Sequence, residues 1–181
     1  VSLSKYQTAC GCADIIAHLL ERYFTNTKRV AYTDRLLEAS LQTVIYNLPR
    51  VLENPNDVDG RAELAWCGTL AHNGLLGKGR EEDWASHGLQ HELGAIYDIN
   101  HGEGLAVMCP AWMKYVWKQD PKRFVQYATR VWGVQMAEHD EEAIVMEGIY
   151  RTEQFFKRCG LRTRLSEMEI DDKQFEEMAE K

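Results

Sequence analysis

Long apolar runs are missing from this chain. None approaches the roughly 20 residues that a membrane span requires, and the opening Val-Ser-Leu-Ser-Lys has neither the apolar stretch nor the small-residue cleavage site of a secretion signal. No membrane partner is expected, and a cytoplasmic location is. A basic excess is missing as well: 21 Lys and Arg stand against 28 Asp and Glu, mixed along 181 residues, for a net charge of −7. That balance offers no basic stripe for phosphates, so nucleic acid is not an expected partner and a small molecule is. Cysteine is sparse, and Cys10, Cys12, Cys67, Cys109 and Cys159 form an odd, scattered set. They make no disulfide framework, and a chain of this length needs none to hold a core. Cys10 and Cys12 have one residue between them where zinc and redox pairs usually have two, which favours packing over metal binding. A phosphate loop is absent too. Gly74-Leu75-Leu76-Gly77-Lys78-Gly79-Arg80 lacks the GxxxxGK[ST] spacing and follows no strand, so it reads as a turn. The first residue is Val rather than Met, as expected of a segment of a longer polypeptide, although Met removal leaves the same end.

What is present is helical periodicity, and no stretch alternates apolar and polar residues long enough for a strand. The pattern predicts helices over Tyr6 to Phe24, over Val30 to Leu48 with Pro49 as its stop, and from the Asn54-Pro55-Asn56-Asp57 turn to the glycines at 74, 77 and 79. A shorter helix from Glu82 to Leu93 is expected to end at Gly94, with Asn100 capping the next as far as Val116 or Trp117. Asp120-Pro121 opens a helix to about Val131, another covers Glu138 to Arg158, and Asp171 caps a last one through Phe175 and Met178. The fold class is therefore all-α, one compact domain over residues 1–181 with about seven to eight helices.

Two constellations can carry chemistry. Asp14 and His18 stand four residues apart on one helical face, surrounded by Ile15, Ile16, Leu19 and Leu20. Such a pair is either a surface ion pair or two ligands of one ion, and its apolar neighbours favour at least one side chain pointing inward, where a lone charge needs a counter-ion. The second is His87, His91 and His101, three of the six histidines within fifteen residues. His87 and His91 share a helix face, and His101 begins the next helix. This is a ligand cluster or a set of mutually hydrogen-bonded rings. His72 and His139 have no comparable company and read as structural or solvent-exposed.

The DxxxH pair, followed some seventy residues later by HxxxHxLGAxYDxxHGxG, resembles the C-terminal half of the iron-containing alcohol dehydrogenases. The resemblance runs from Lys5-Tyr6-Gln7-Thr8-Ala9 through Ile170-Asp171-Asp172 and looks nearest to the butanol dehydrogenase branch. It implies a dehydroquinate synthase-like helical C-terminal domain. It also implies that Asp14, His18, His87 and His101 hold a divalent metal, Fe2+ by family with Zn2+ as an alternative. His91 is implied to lie beside the metal and the nicotinamide as a proton relay or cofactor contact, without being a ligand. The implied activity is NAD(P)H-dependent interconversion of primary alcohols such as butanol and their aldehydes. The implied partners are an N-terminal nucleotide-binding domain, which this sequence does not contain, and in many family members a second copy in a homodimer. Two other readings compete. His139-Asp140 is an HD dipeptide such as helical metal-dependent phosphohydrolases carry, though acidic neighbours mark it as an exposed helix start. A non-catalytic helical interaction module would have histidines that merely satisfy one another.

Overall fold

The computed structural model describes residues 2–135 and 140–179. Among the described residues there are eight α-helices and no strand: α1 Lys5–Tyr23, α2 Ala31–Glu53, α3 Val58–His72, α4 Ala85–Tyr97, α5 His101–Val116, α6 Pro121–Trp132, α7 Glu141–Arg158 and α8 Phe175–Ala179. None of these helices is long and apolar enough to cross a membrane.

α1 is the axis of the bundle. From Thr8 onward it is buried on nearly every side, as a helix apolar around most of its circumference must be. It packs against α2, α3, α4 and α5, while α6 and α7 pair and close the far side against α2 and α5. Ser4 caps α1 through the backbone N–H of Gln7, Asp57 caps α3 through Gly60, Asn100 caps α5 through Gly102 and Asp120 caps α6 through Arg123. The cysteines at 10, 12, 67, 109 and 159 are buried and form no disulfide, and Cys10 and Cys12 pack in the core.

Two boundaries differ from the sequence pattern. α2 does not stop at Pro49 but continues to Glu53, because Leu48 and Val51 are both sealed in the core. Their burial offsets the hydrogen bond that the proline forgoes. α4 begins at Ala85 and passes through Gly94 to Tyr97, and the chain reverses at Asp98, whose φ of 51° is a left-handed conformation that Asp tolerates better than most residues. The break therefore falls one turn beyond the glycine. Residues 75–77 form a short turn of helix after Gly74, and Arg80 lies buried on Asp34, which agrees with the turn reading of that segment. Asp171 accepts the backbone N–H of Lys173, and the last helix starts only at Phe175. At α7 the cap is Asp140, through Ala143, whereas the expected start at Glu138 lies outside the described residues.

A close helix approach sets up the site. α5 crosses α1 so tightly that a β-carbon at Gly102 would stand 2.0 Å from the Cys10 carbonyl oxygen. Only glycine permits that backbone contact. It brings the start of α5 to the turn of α1 that ends at Asp14.

Candidate metal centre

Asp14 is the hub of the cluster. Its Oδ1 stands 3.5 Å from His18 Nε2 on the next turn of α1, 3.4 Å from His87 Nε2 on α4 and 3.3 Å from His101 Nε2 at the start of α5. Oδ2 lies 3.1 Å from Nε2 of His72, the last residue of α3. The donor atoms of Asp14, His87 and His101 all lie within 4.8 Å of one another, as do those of Asp14, His18 and His72. All four residues expected from the sequence therefore meet at one carboxylate. His72 is exposed, as one of the two expectations for it had it, but it does have company: α3 docks on α1 through Gly68 against Ile15, which carries His72 onto Asp14 and sets its ring 4.1 Å from that of His18. No local pattern could have shown this, since the two helices meet only in the tertiary fold. His139 lies outside the described residues.

His91 stands beside the cluster rather than in it. Its ring stacks on His101 at 5.5 Å and lies 6.2 Å from His87.

Sequence reading also missed Glu21. This carboxylate, 2% exposed, accepts the backbone N–H of His87 with Oε1 and pairs with His87 Nδ1 through Oε2. With Nδ1 committed to Glu21, the ring turns Nε2 toward Asp14. A carboxylate behind a histidine fixes its orientation and raises its basicity. A signal existed: Asp14, His18 and Glu21 are spaced by four and three, which aligns all three on one face of α1. Trp84 walls the cluster, with its ring 5.1 Å from His18 and 5.2 Å from His87. Behind it, Arg22 lies 4.9 Å over the indole and donates to the carbonyls of His18 and Ala71.

The electrostatics call for a cation. Burial pushes Asp14 up, but the imidazoles around it, His87 and His72 foremost, outweigh it and hold the carboxyl well below the usual range. Burial drives His18 down to about 4 against the pull of Asp14, and it lowers His101 as well. Those rings are neutral at pH 7, the form that binds metals. At His87 burial is outweighed by Asp14 and Glu21, which lift it to about 9. Asp14 Oδ1 and His87 Nε2 are both buried and neither has a hydrogen-bond partner. A His87 protonated at pH 7 faces Asp14 Oδ1 as an ion pair at 3.4 Å, and a divalent ion would take that proton's place between the two atoms. Donors bound at about 2.0–2.2 Å to one tetrahedral ion stand about 3.4 Å apart, and the Asp14 Oδ1 separations of 3.3 to 3.5 Å match that edge. The separations about Asp14 suit donors of a divalent ion, with His87 and His101 in one close triad and His18 in another. A cleft of about 410 Å³ lined by Val107, Lys114, Glu153, Arg164 and Phe175 contributes no residue to this cluster.

Fold and cluster together define an all-helical domain that presents one carboxylate ringed by imidazoles. The chain belongs to the iron-containing alcohol dehydrogenase family: the profile of that family's C-terminal region matches residues 8–181. It is 42% identical over 175 residues to NADH-dependent butanol dehydrogenase B of Clostridium acetobutylicum, covering 96% of this chain and 45% of that enzyme. Among solved structures, the substrate- and cofactor-free aldehyde reductase YqhD of Escherichia coli superposes with a TM-score of 0.94 at 33% identity, over 98% of this chain and 46% of that one. An NADH-dependent butanol dehydrogenase A from Thermotoga maritima gives 0.93 at 34%, over 99% and 44%. The chain thus spans about half the length of the relatives it matches.

Proposed function

We propose that this chain is the metal-binding catalytic half of an NAD(P)H-dependent alcohol dehydrogenase or aldehyde reductase acting on primary alcohols such as butanol and their aldehydes. The observation that carries the reading is the convergence of three imidazoles from three helices on one Asp14 oxygen, with that oxygen and His87 Nε2 orphaned. Asp14, His18, His87 and His101 would hold the ion, Fe2+ by family, although a mixed nitrogen and oxygen set also suits zinc. When bound, the metal supplies Lewis acidity toward the substrate oxygen and the nicotinamide supplies or accepts the hydride. The chain's own residues do the rest. Glu21 orients His87, Trp84 would limit water on one side, and His91, stacked on His101, would contact the nicotinamide or relay a proton. Most nicotinamide contacts would come from an N-terminal nucleotide-binding domain, the portion of the full-length relatives that this chain does not span. The isolated chain should therefore bind metal yet show little aldehyde reduction.

Metal analysis tests this directly. After chelation and reloading with Fe(II) or Zn(II), the purified chain should retain one equivalent, and a His87→Ala, His101→Ala double variant should retain far less. Equal metal content in the two proteins would leave the histidines as structural and overturn the assignment.

A further inference from the structure

Away from the metal cluster, two clefts meet where the segment after α7 lies along α5. The larger, about 410 Å³, is lined by Val107, Pro110, Ala111, Ile170 and Thr163. The smaller, about 230 Å³, is lined by Leu89, Leu93, Met178 and Glu92, a residue already partnered in the fold. Met108, Leu165 and Phe175 line both, so one apolar surface runs from one cleft into the other. Thr163 is 7% exposed, and its hydroxyl is buried with no hydrogen-bond partner. Its backbone N–H donates to Glu167 at 2.9 Å, so the hydroxyl alone is left open. A buried hydroxyl is costly unless it is hydrogen-bonded. The charges around the larger cleft cancel: Lys114 pairs with Glu153 and Lys173 with Asp171, each at 2.6 Å, and the exposed Arg164 and Asp172 add one of each sign. Pockets that take small molecules have this character, mostly apolar with a few placed polar groups and about 300–1,000 Å³ in volume.

We propose that the joined clefts bind a neutral amphiphile, a medium-chain primary alcohol or its aldehyde, with the alkyl chain along Met108 and Phe175 into the smaller cleft and the oxygen hydrogen-bonded to the Thr163 hydroxyl in the larger. A hydroxyl both donates and accepts, so it can serve either head group. A charged head group finds no unbalanced partner among the paired side chains. No residue of this site belongs to the metal cluster, so the inference goes beyond the proposed dehydrogenase function and stands without it.

The experiment is titration of the purified chain, isotope-labelled at its methionine methyl groups, with octanol, octanoate and octylammonium, read by NMR. Octanol should shift the Met108 and Met178 signals saturably, leave that of the fully buried Met113 in place, and do so equally with and without a chelator. Thr163→Val keeps the shape of the side chain and removes the hydroxyl; it should bind octanol roughly 2- to 10-fold more weakly, the usual worth of one hydrogen bond. Leu89→Glu, at an exposed helix position, sets a charge against the alkyl chain and should also weaken binding. Octanoate and octylammonium should bind more weakly than octanol. No saturable shift at Met108 and Met178, or an affinity that either variant leaves unchanged, would overturn the site. Octanoate or octylammonium binding as tightly as octanol would overturn the neutral head group, and shifts lost on chelation would put the alcohol at the metal instead.

Discussion

Substituting Gly102 with alanine should damage the proposed metal centre without touching a donor. The added β-carbon would sit 2.0 Å from the Cys10 carbonyl oxygen, 2.5 Å from its carbon and 2.8 Å from its α-carbon. Ordinary contact needs about 3.5 Å, so α5 must move roughly 1.5 Å away from α1. Both sides of the clash are backbone, and no rotamer change relieves it. Overpacking of this kind costs about 1–3 kcal/mol, and the upper end applies here. Alanine's helix propensity returns at most about 1 kcal/mol. A net loss near 2 kcal/mol lowers the Tm by about 4–8 °C for a chain of this size. Because His101 is the neighbour of Gly102 and Asp14 lies one turn beyond Cys10, the same shift spreads Oδ1 from His101 Nε2. Metal affinity should then fall by on the order of 10-fold. Gly88 on α4 is the control, since nothing lies within 4 Å of its would-be β-carbon. Gly88→Ala should gain about 0.5–1 kcal/mol, a small rise in Tm with metal binding intact. Calorimetry and metal titration of both variants decide the matter. A Gly102→Ala protein that melts and binds metal like the wild type would refute the claim that this helix contact sets the donor spacing.

Glu21→Gln should lower metal affinity by about 10–100-fold with little change in circular dichroism, because the amide still fills the space but no longer fixes His87 as a carboxylate does; unaltered affinity would make Glu21 a packing residue only. Asp34 provides the pH-dependent prediction. Burial raises its pKa, but Arg80 at 2.7 Å and Arg123 at 2.6 Å outweigh that and leave it lowered. With the folded value below the unfolded value of about 3.9, its stabilisation is complete well above that pH and is lost as the pH falls through the folded value. Asp34→Asn should cost about 3–5 kcal/mol at pH 7, since it leaves the buried Arg80 unpaired. The gap between variant and wild type in urea melts should narrow progressively below about pH 4; a gap that holds constant to pH 3 would count against this assignment.

Much of the fold was legible along the chain because its determinants are local. Caps at Asp57, Asn100 and Asp120, proline at the start of α6 and apolar periodicity on α1, α2 and α7 each act within one turn of helix. Local spacing was enough to nominate Asp14 with His18, and His87 with His91 and His101; setting His91 apart took the family resemblance. It misplaced the ends of α2 and α4, where burial of Leu48 and Val51 and a reversal at Asp98 overrode the usual breakers.

The sequence by itself determined which segments are helical and set Asp14, His18, His87, His91 and His101 on them, for those follow from side-chain chemistry at fixed helical spacing, while the choice of four as donors came from the family resemblance. Only the tertiary structure decided that Gly102 lies on Cys10, that Glu21 backs His87 and that His72 reaches Asp14. The reason is physical: each of those contacts joins residues at least 58 positions apart, and their meeting depends on how whole helices pack, which no short window of sequence encodes.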